Sequence, residues 1–249
     1  MTLFWHQLKS EQLTFWRSRE AAIFIFLFPP LLFVLLASVF GDGFREGIPA
    51  ATYLVAGLIA YAVANTALGG LAIQLVIRRE FGILKRLRST PLPAALYLAV
   101  TLLSNLAVVV LQSTVVLALG VWLFDAKLPE NGFAFGVALT LGALSFAGLG
   151  LAITAVTKSG EAIAAIVNVI ILPMSFLSGS FGPANDLPKA LELLRNVLPL
   201  HYLLELVLGA YAGGKPVWDN PTAIAVLVAW GAGGYIVARR RFGWEPRER

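Results

Sequence analysis

The residues of this chain that could do chemistry are few and lie far apart. The sequence holds two histidines, His6 and His201, and no cysteine, which excludes a thiolate nucleophile, a disulfide framework and a Cys-based metal site. His201 and Glu205 would lie one helical turn apart and could share a cation, but two ligands make a weak metal site. A hydrogen-bonded or interfacial pair is therefore predicted, and neither a metal site nor a catalytic site is expected.

One stretch comes close to a phosphate-binding loop. The pattern G-x-x-x-x-G-K-[ST] is matched at Gly209, Gly214 and Lys215, but Pro216 stands where Ser or Thr is required. Proline has no hydroxyl for Mg²⁺ and no backbone N–H for a phosphate oxygen. The chain is therefore predicted not to be an enzyme and to hold no cofactor, so any ATP and Mg²⁺ must be bound by another subunit.

The elements that must position these residues are apolar helices. Of the 249 residues, 58% are hydrophobic and 13% are charged, which is about half the charge of an ordinary soluble domain. The apolar residues form long blocks of the kind that span a bilayer. A soluble enzyme is thereby excluded. A nucleic-acid-binding module is excluded too, because the excess of Lys and Arg in the cytoplasmic loops of membrane proteins explains the net charge of +5.

Six blocks are long enough to be transmembrane helices, each of which needs about 20 apolar residues. The predicted fold is therefore an all-α integral membrane protein. Residues 1–20 are expected to form an amphipathic helix lying on the membrane surface, and residues 21–249 one six-span domain. The spans are predicted at 21–40, 51–77, 94–123, 133–156, 162–180 and 222–238.

A further apolar stretch, residues 197–212, bears on the topology. It is short for a span and holds His201 and Glu205. With six spans and both termini in the cytoplasm, the inner segments hold most of the 19 Lys and Arg residues, as the positive-inside rule requires. A seventh span would move the basic C-terminal tail outside. A re-entrant or surface-lying helical element is therefore predicted on the extracellular side, between spans five and six.

The basic segment between the second and third spans, residues 78–93, carries the strongest functional signal. Its sequence is RREFGILKRLRSTPLP, in which Ile83, Leu84 and Leu87 would share one face of a short helix while Lys85 points away. Such a helix can dock into a groove on a cytoplasmic partner. The alternative is that the segment is basic only because it is an inner loop, and the residues alone leave both interpretations open.

Two runs of residues carry a resemblance to a known family. The first is Glu80-x-Gly82-x-Leu84-Lys85-Arg86-Leu87-Arg88-Ser89-Thr90-Pro91-Leu92, and the second is Leu177-Ser178-Gly179, Pro183 and Leu187-Pro188, followed by Leu198-Pro199-Leu200. With the amphipathic N-terminal helix and the six-span spacing, nearly the whole chain resembles the type-2 ABC exporter permeases, especially their daunorubicin-resistance-like and nodulation-exporter-like branch.

The resemblance implies a coupling helix and a partner. In that family the loop contacts a separate ATP-hydrolysing subunit, and the outer stretch between spans five and six forms short helices that dip into the membrane. An ATPase-coupling role is thereby implied for Glu80, Gly82, Ile83, Leu84, Lys85, Arg86, Leu87 and Arg88.

The implied function is that of a permease subunit in the plasma membrane of a prokaryote. Two copies would form the pathway, and two cytoplasmic ATPase subunits holding ATP and Mg²⁺ would bind beneath it. The expected cargo is an amphipathic or hydrophobic molecule such as a drug, a lipid or a lipid-linked glycan. Membrane lipid is a further partner, and nucleic acid is not expected. An ATP-independent secondary transporter or channel is the alternative, and a structural membrane scaffold is a third possibility.

Uncharged polar side chains inside the spans are the candidates for the translocation path. Asn65, Asn105, Gln112 and Asn168 could hydrogen-bond a polar head group of the cargo, or they could only bond helices to one another. Small residues of the fourth span, such as Gly148, favour close packing without showing against which helix. No charged residue is predicted at mid-membrane depth, which weighs against a proton- or sodium-driven mechanism.

Overall fold

A computed structural model describes residues 2–40, 44–45, 47–90, 92–157, 159–182 and 187–241. Helices make up most of these residues, and the strands among them are the short antiparallel pair Phe44–Arg45 (β1) and Ile48–Pro49 (β2). Six helical segments are long and apolar enough to cross a membrane. The predicted all-α membrane fold is therefore confirmed.

The second span is composite and longer than predicted, reaching Glu80 rather than residue 77. A π-helical segment, Asn65–Gly70, interrupts it, and a 3-10 turn at Val217–Asp219 precedes the last helix. The helices are α1 (Thr2–Arg17), α2 (Arg19–Phe40), α3 (Ala50–Ala64), α4 (Leu71–Glu80), α5 (Ile83–Arg88), α6 (Ala94–Phe124), α7 (Gly132–Val156), α8 (Gly160–Ser178), α9 (Lys189–Arg195), α10 (Pro199–Ala212) and α11 (Pro221–Arg241).

The composite second span forms the centre of the bundle. Every residue of α3 is buried. In the most apolar 18-residue stretch of the composite span, 89% is buried inside the protein, whereas the corresponding share is 28% for α2, α8 and α11. Its sequence is apolar on all sides, which is typical of a fully enclosed helix. Gly57 lets the chain after α8 approach closely, because a Cβ at Gly57 would lie 2.2 Å from the carbonyl oxygen of Ser180.

Helices α7 and α11 pack backbone to backbone. Gly148 faces Gly231 and Gly234, and a Cβ at Gly148 would lie 2.4 Å from the carbonyl oxygen of Gly231. Across the same contact, Ser145 Oγ donates to the carbonyl oxygen of Leu227 (2.7 Å). The close packing expected from the small residues of the fourth span is confirmed, and its partner is α11 of the same chain.

The N-terminal helix α1 packs its polar stripe on the bundle. Glu11 is 3% exposed, and Nε2 of Gln12 donates to the hydroxyl oxygen of Ser104 in α6 (2.9 Å). Trp5 and Trp16 instead face outward and are 62% and 47% exposed. Polar side chains thus hold α1 to the protein and leave the tryptophans available to lipid, while its position on a membrane surface stays a prediction.

Helices α9 and α10 form a pair bent by 71°. Nε1 of Trp230, a residue of α11, donates to the carbonyl oxygen of Val197 at the turn between α9 and α10 (2.9 Å). The other end of α10 reaches the start of α7, where the N–H of Asn131 donates to the carbonyl oxygen of Ala210 (3.0 Å). Helix α10 therefore runs from beside the middle of α11 to the start of α7, and whether it is re-entrant stays a prediction. Its depth in a bilayer stays a prediction.

Candidate functional site

At one end of the bundle, the second span turns sharply into α5. Gly82 makes the turn with a φ of 70°, in the left-handed region. Glycine adopts this conformation without the steric cost that a side chain brings. A Cβ at Gly82 would meet nothing within 4 Å, so backbone conformation rather than space favours glycine here. The same end of the bundle carries the end of α7 and the start of α8.

Leu84 fixes α5 to its own chain. Its side chain is fully buried in a cluster with Leu71, Leu75 and Tyr97, and Leu87 packs against that cluster while partly exposed. The amphipathic pattern predicts Leu84 on the face offered to a partner, and the structure corrects this, because Leu84 is buried in its own chain. Leu84 seats the helix on the spans, and another protein could reach it only if α5 moved.

Other side chains of this turn face outward. Phe81 is 72% exposed and Ile83 is 42% exposed, and both Lys85 and Arg86 are exposed. Sequence analysis missed Phe81, although an aromatic residue directly before Gly82 was visible in the sequence. The side chain of the remaining candidate in α5, Arg88, lies outside the described part of the structure.

Arg78, near the end of α4, joins α1 and α6 through a buried network. Its Nη1 donates to Oε1 of Glu11 (2.7 Å) and to the hydroxyl oxygen of Tyr97 (2.8 Å). Glu11 also accepts from Nε2 of Gln7 (2.9 Å) and from Nε2 of Gln74 (3.4 Å). Several donors thus surround the carboxylate, which compensates for its removal from water.

Arg79 and Glu80 hold the two helix ends beside them. Arg79 donates from Nη1 to the carbonyl oxygen of Thr154 (2.8 Å) and from Nη2 to that of Thr157, both at the end of α7. Oε2 of Glu80 accepts from the N–H of Gly160 (3.0 Å), the first residue of α8. The charges suit the helix dipoles, because a cation is favourable at a helix C-terminus and an anion at an N-terminus.

Sequence analysis singled out neither Arg78 nor Arg79 and assigned Glu80 to a partner protein. The available signal was the run of three charged residues at the end of an otherwise apolar span. Basic residues are common at the cytoplasmic ends of spans, so this run by itself does not indicate buried pairs. The sequence alone also does not show which distant groups pair with them.

Three of the four candidates for the translocation path lie around the π-helical segment. Asn65 is half-buried at its first position. Gln112 is buried; its Nε2 donates to the carbonyl oxygen of Ile25 (2.6 Å), and its Oε1 accepts from Oγ1 of Thr66 (2.7 Å). Nδ2 of Asn105 donates to the carbonyl oxygen of Thr66 (3.1 Å). For Gln112 and Asn105 the structure therefore favours the helix-bonding interpretation.

The fourth candidate, Asn168, lies on an exposed part of α8. Its Nδ2 donates to the carbonyl oxygen of Ala164 in the same helix (3.0 Å), so this hydrogen bond joins α8 to no other helix. The prediction of a path-lining residue stands for Asn168 and Asn65.

Most of the chain matches one protein family. The family model described as "ABC-2 type transporter" matches residues 2–212, a range that includes α1, the turn at Gly82 and the bent pair α9–α10. The chain belongs to the ABC-2 type transporter family. The resemblance found in the sequence is therefore confirmed, and the chain is a multi-pass membrane subunit of an ABC transporter.

Named relatives of this ABC-2 chain are permeases or a nodulation protein. A Bacillus subtilis chain named as the transport permease YvfS is 28% identical over 181 residues, 72% of each chain. An Escherichia coli chain named as the multidrug ABC transporter permease YbhR is 25% identical over 174 residues, which are 68% of this chain and 47% of that one. Nodulation protein J of Sinorhizobium fredii is 27% identical over 184 residues, 69% of each chain. This ABC-2 chain thus spans about half the length of YbhR.

Within α10 of this ABC-2 chain, the predicted His201–Glu205 pair is present. Nε2 of His201 lies 3.3 Å from Oε1 of Glu205, and Nε of Arg195 donates to Nδ1 of His201 (3.2 Å). Burial lowers the pKa of His201; the Glu205 carboxylate opposes this shift and the Arg195 guanidinium adds to it. Nδ2 of Asn220, before α11, donates to Oε2 of Glu205 (3.0 Å).

The near match to a phosphate-binding loop does not have the shape of one. Gly209 lies within α10, and the N–H of Lys215 donates to the carbonyl oxygen of Gly209 (2.9 Å). A backbone donor of the kind that cradles a phosphate is therefore already occupied. Within the described ranges, no three His, Cys, Asp or Glu side chains are grouped so that they could hold a metal ion.

Proposed function

We propose that this chain is the permease subunit of an ABC exporter in the plasma membrane of a prokaryote, with both termini in the cytoplasm. It moves an amphipathic or hydrophobic substrate, such as a drug, a lipid or a lipid-linked glycan, out of the cytoplasm. A separate cytoplasmic ATPase subunit binds ATP and Mg²⁺ and supplies the energy. The active unit contains two copies of this chain and two ATPase subunits.

The observation that best supports the proposal is the packing of α5 at the inner end of the bundle. Leu84 is buried on the inward side of the helix, while Phe81 and Ile83 are exposed around the turn. A short helix that shows apolar and basic side chains to its surroundings can enter a groove on a partner. Leu84 ties this surface to the second span, so a force on α5 reaches the centre of the bundle.

Membership of the ABC-2 family supports the need for an ATPase. The multidrug permease name of YbhR supports efflux and keeps drugs among the candidate cargoes. The buried carboxylate beside the end of the second span, Glu11, is paired with Arg78. A proton-driven carrier usually depends on an intramembrane carboxylate that can change its protonation state.

The decisive experiment is reconstitution. The chain is purified with a co-expressed ABC ATPase encoded beside it and inserted into inside-out vesicles, and uptake of a fluorescent amphipathic dye is measured. We expect uptake only when the ATPase, ATP and Mg²⁺ are all present. Uptake driven by a proton or sodium gradient without the ATPase would show a secondary transporter instead. No uptake of drugs, lipids or lipid-linked glycans under any condition would favour a structural scaffold.

A further inference from the structure

Three consecutive side chains at the end of α4 contact three different parts of the molecule. Arg78 reaches Glu11 in α1, Arg79 reaches the end of α7, and Glu80 reaches the start of α8. Successive residues of an α-helix point about 100° apart, so three in a row face three separate neighbours. This geometry lets one helix end hold several elements at once.

We infer that Arg78, Arg79 and Glu80 form an inner clamp that makes α1, α7 and α8 move together with α5, with the Glu11–Arg78 pair carrying the motion to α1. The inference rests on the proposed function, in which an ATPase pushes on α5. These are positioning residues: they act through the helices that they hold and need not touch cargo or nucleotide.

Burial makes the Glu11–Arg78 ion pair a strong link between α1 and the second span. Both side chains are buried, with 3% of the Glu11 and 10% of the Arg78 side chain exposed. A buried ion pair is screened by salt far less than a surface pair, and removing one partner leaves an uncompensated charge in an apolar place. Separation of α1 from the second span is therefore unfavourable while the pair is intact.

The other two clamp residues act on neighbouring helix ends. Helix α7 ends at Val156 and α8 begins at Gly160, so the two ends are close in the chain. Arg79 holds carbonyl oxygens of the first end, and Glu80 accepts the backbone N–H of Gly160 at the second. A movement of α4 thus acts on the ends of two spans at once.

Tyr97 links the clamp to α5. Its hydroxyl group accepts from Arg78 (2.8 Å), and its side chain belongs to the same buried cluster as Leu84 of α5. A push on α5 is therefore transmitted both along the chain through Gly82 and across the cluster through Tyr97. Both routes end at Arg78.

The first test measures coupling with the ATPase in vesicles. Glu11→Gln keeps the size of the side chain and removes its charge, and Glu20→Gln, at an exposed position, is the matched control. We expect Glu11→Gln to keep the ATPase bound and its basal ATP hydrolysis unchanged. We also expect it to lower both cargo-stimulated hydrolysis and cargo moved per ATP by about 2- to 30-fold, the range for residues that carry coupling between sites. Wild-type stimulation in Glu11→Gln would overturn the inference.

The second test measures the distance between α1 and the segment beside α5 and needs no transport or ATP hydrolysis as a readout. The chain has no native cysteine, so Ser10→Cys and Ser89→Cys, both at exposed positions, place spin labels on α1 and beside α5. We expect one narrow distance distribution that stays the same when ATP is added to the complex, and a broad or double distribution in Glu11→Gln. A wild-type distance that changes with ATP, or a Glu11→Gln distribution as narrow as the wild type, would overturn the inference.

The two tests separate the clamp from the proposed function. If no ATPase supports transport, the proposed function fails, but the label distances in the permease alone still show whether Glu11 holds α1 to α5. Where Glu11→Gln does not fold, Arg78→Lys replaces it, because lysine keeps the charge but carries it as a point charge on a flexible stem that does not fix the position of its partner. The same broadening of the distances is expected, and its absence again overturns the inference.

Discussion

Gly234 of α11 lies directly on the backbone of Gly148 in α7, and a Cβ at Gly234 would come within 2.3 Å of the carbonyl carbon and oxygen of Gly148. The next residue in the chain, Gly233, has nothing within 4 Å of its Cβ position. Two adjacent glycines of one helix therefore differ completely in what a methyl group would meet. This difference allows helix packing and helix propensity to be measured separately.

We expect Gly234→Ala to lower the free energy of unfolding by about 1–3 kcal/mol, the usual cost of an overpacked contact. Gly233→Ala should be neutral or stabilising by up to about 1 kcal/mol, because alanine is the better helix former. Thermal unfolding of both variants in detergent tests this. Equal melting temperatures for the two variants would contradict the packing of α7 on α11.

The polar residues of the spans can be sorted by leucine replacements. Gln112→Leu leaves the carbonyl oxygen of Ile25 and the hydroxyl group of Thr66 without their partner, and we expect a loss of about 1–3 kcal/mol in the free energy of unfolding. Asn168→Leu, at an exposed position of α8, should leave stability near the wild-type value. The measurements are the melting temperature and the order in which cargoes stimulate ATP hydrolysis.

A lining role for Asn168 predicts that the order of cargoes changes in Asn168→Leu while the melting temperature does not. An unchanged order would remove Asn168 from the path. For Gln112, a changed order at unchanged stability would reverse the helix-bonding interpretation.

Leu84 and Phe81, on either side of Gly82, allow a role in folding to be distinguished from a role in ATPase docking. Leu84→Ala opens a cavity in the buried cluster, and we expect it to cost about 2–5 kcal/mol of stability in the permease alone. Phe81→Ala removes a side chain that is 72% exposed. We expect it to leave the melting temperature unchanged and to weaken ATPase binding by about 1–3 kcal/mol, as for a buried anchor of an interface. Titration of the labelled ATPase subunit onto the reconstituted permease measures this, and equal binding by Phe81→Ala would contradict a docking role.

Loss of the Glu80–Gly160 hydrogen bond should reduce transport more than stability. Glu80→Ala removes the acceptor at the start of α8, where a carboxylate is worth about 0.3–1 kcal/mol. We therefore expect a small fall in melting temperature and normal expression, together with a larger fall in transport. Expression and transport are quantified in the same membranes. A loss of transport in proportion to expression would show that Glu80 is only structural.

Stability should depend on pH through His201. Burial holds its pKa in the folded chain below the ordinary value of about 6.5, so between these two values the unfolded chain binds more protons. The stabilising contribution is therefore complete above about pH 6.5 and is lost as the pH falls through the folded pKa. We expect the melting temperature to fall on acidification, and less steeply in His201→Gln. Replacement of the exposed His6 by Gln is the control, and equal acid sensitivity of His201→Gln and the wild type would contradict the assignment.

Membrane sidedness can be tested with single cysteines on the native Cys-free background. We expect membrane-impermeant reagents to label positions 45, 127 and 215 from outside. Positions 10, 86, 158 and 245 should be protected in intact cells. In the structure the stretches around two of the outer positions are in contact, because the Tyr211 hydroxyl group donates to the carbonyl oxygen of Lys127 (2.6 Å). External labelling at 245 would overturn the six-span topology.

The sequence alone was enough to predict the class of fold and the family. A membrane span is recognised by the composition of about 20 consecutive residues, and that property does not depend on the rest of the chain. The segment proposed for coupling could be recognised for a similar reason, because its residues from Glu80 to Leu92 are contiguous. The His201–Glu205 pair was also local, since residues four apart on a helix are neighbours.

Only the tertiary structure decided which faces of these helices meet. Leu84 and Ile83 are adjacent in an amphipathic segment, but the turn at Gly82 buries the first and exposes the second. In α1, the polar stripe with Glu11 faces the protein because Arg78 and Gln74 donate hydrogen bonds to the Glu11 carboxylate. Glu11 and Arg78 are 67 residues apart, and no local pattern connects them. In the apolar interior a charge is stable only beside its partner, so the packing of the helices determines which charges pair.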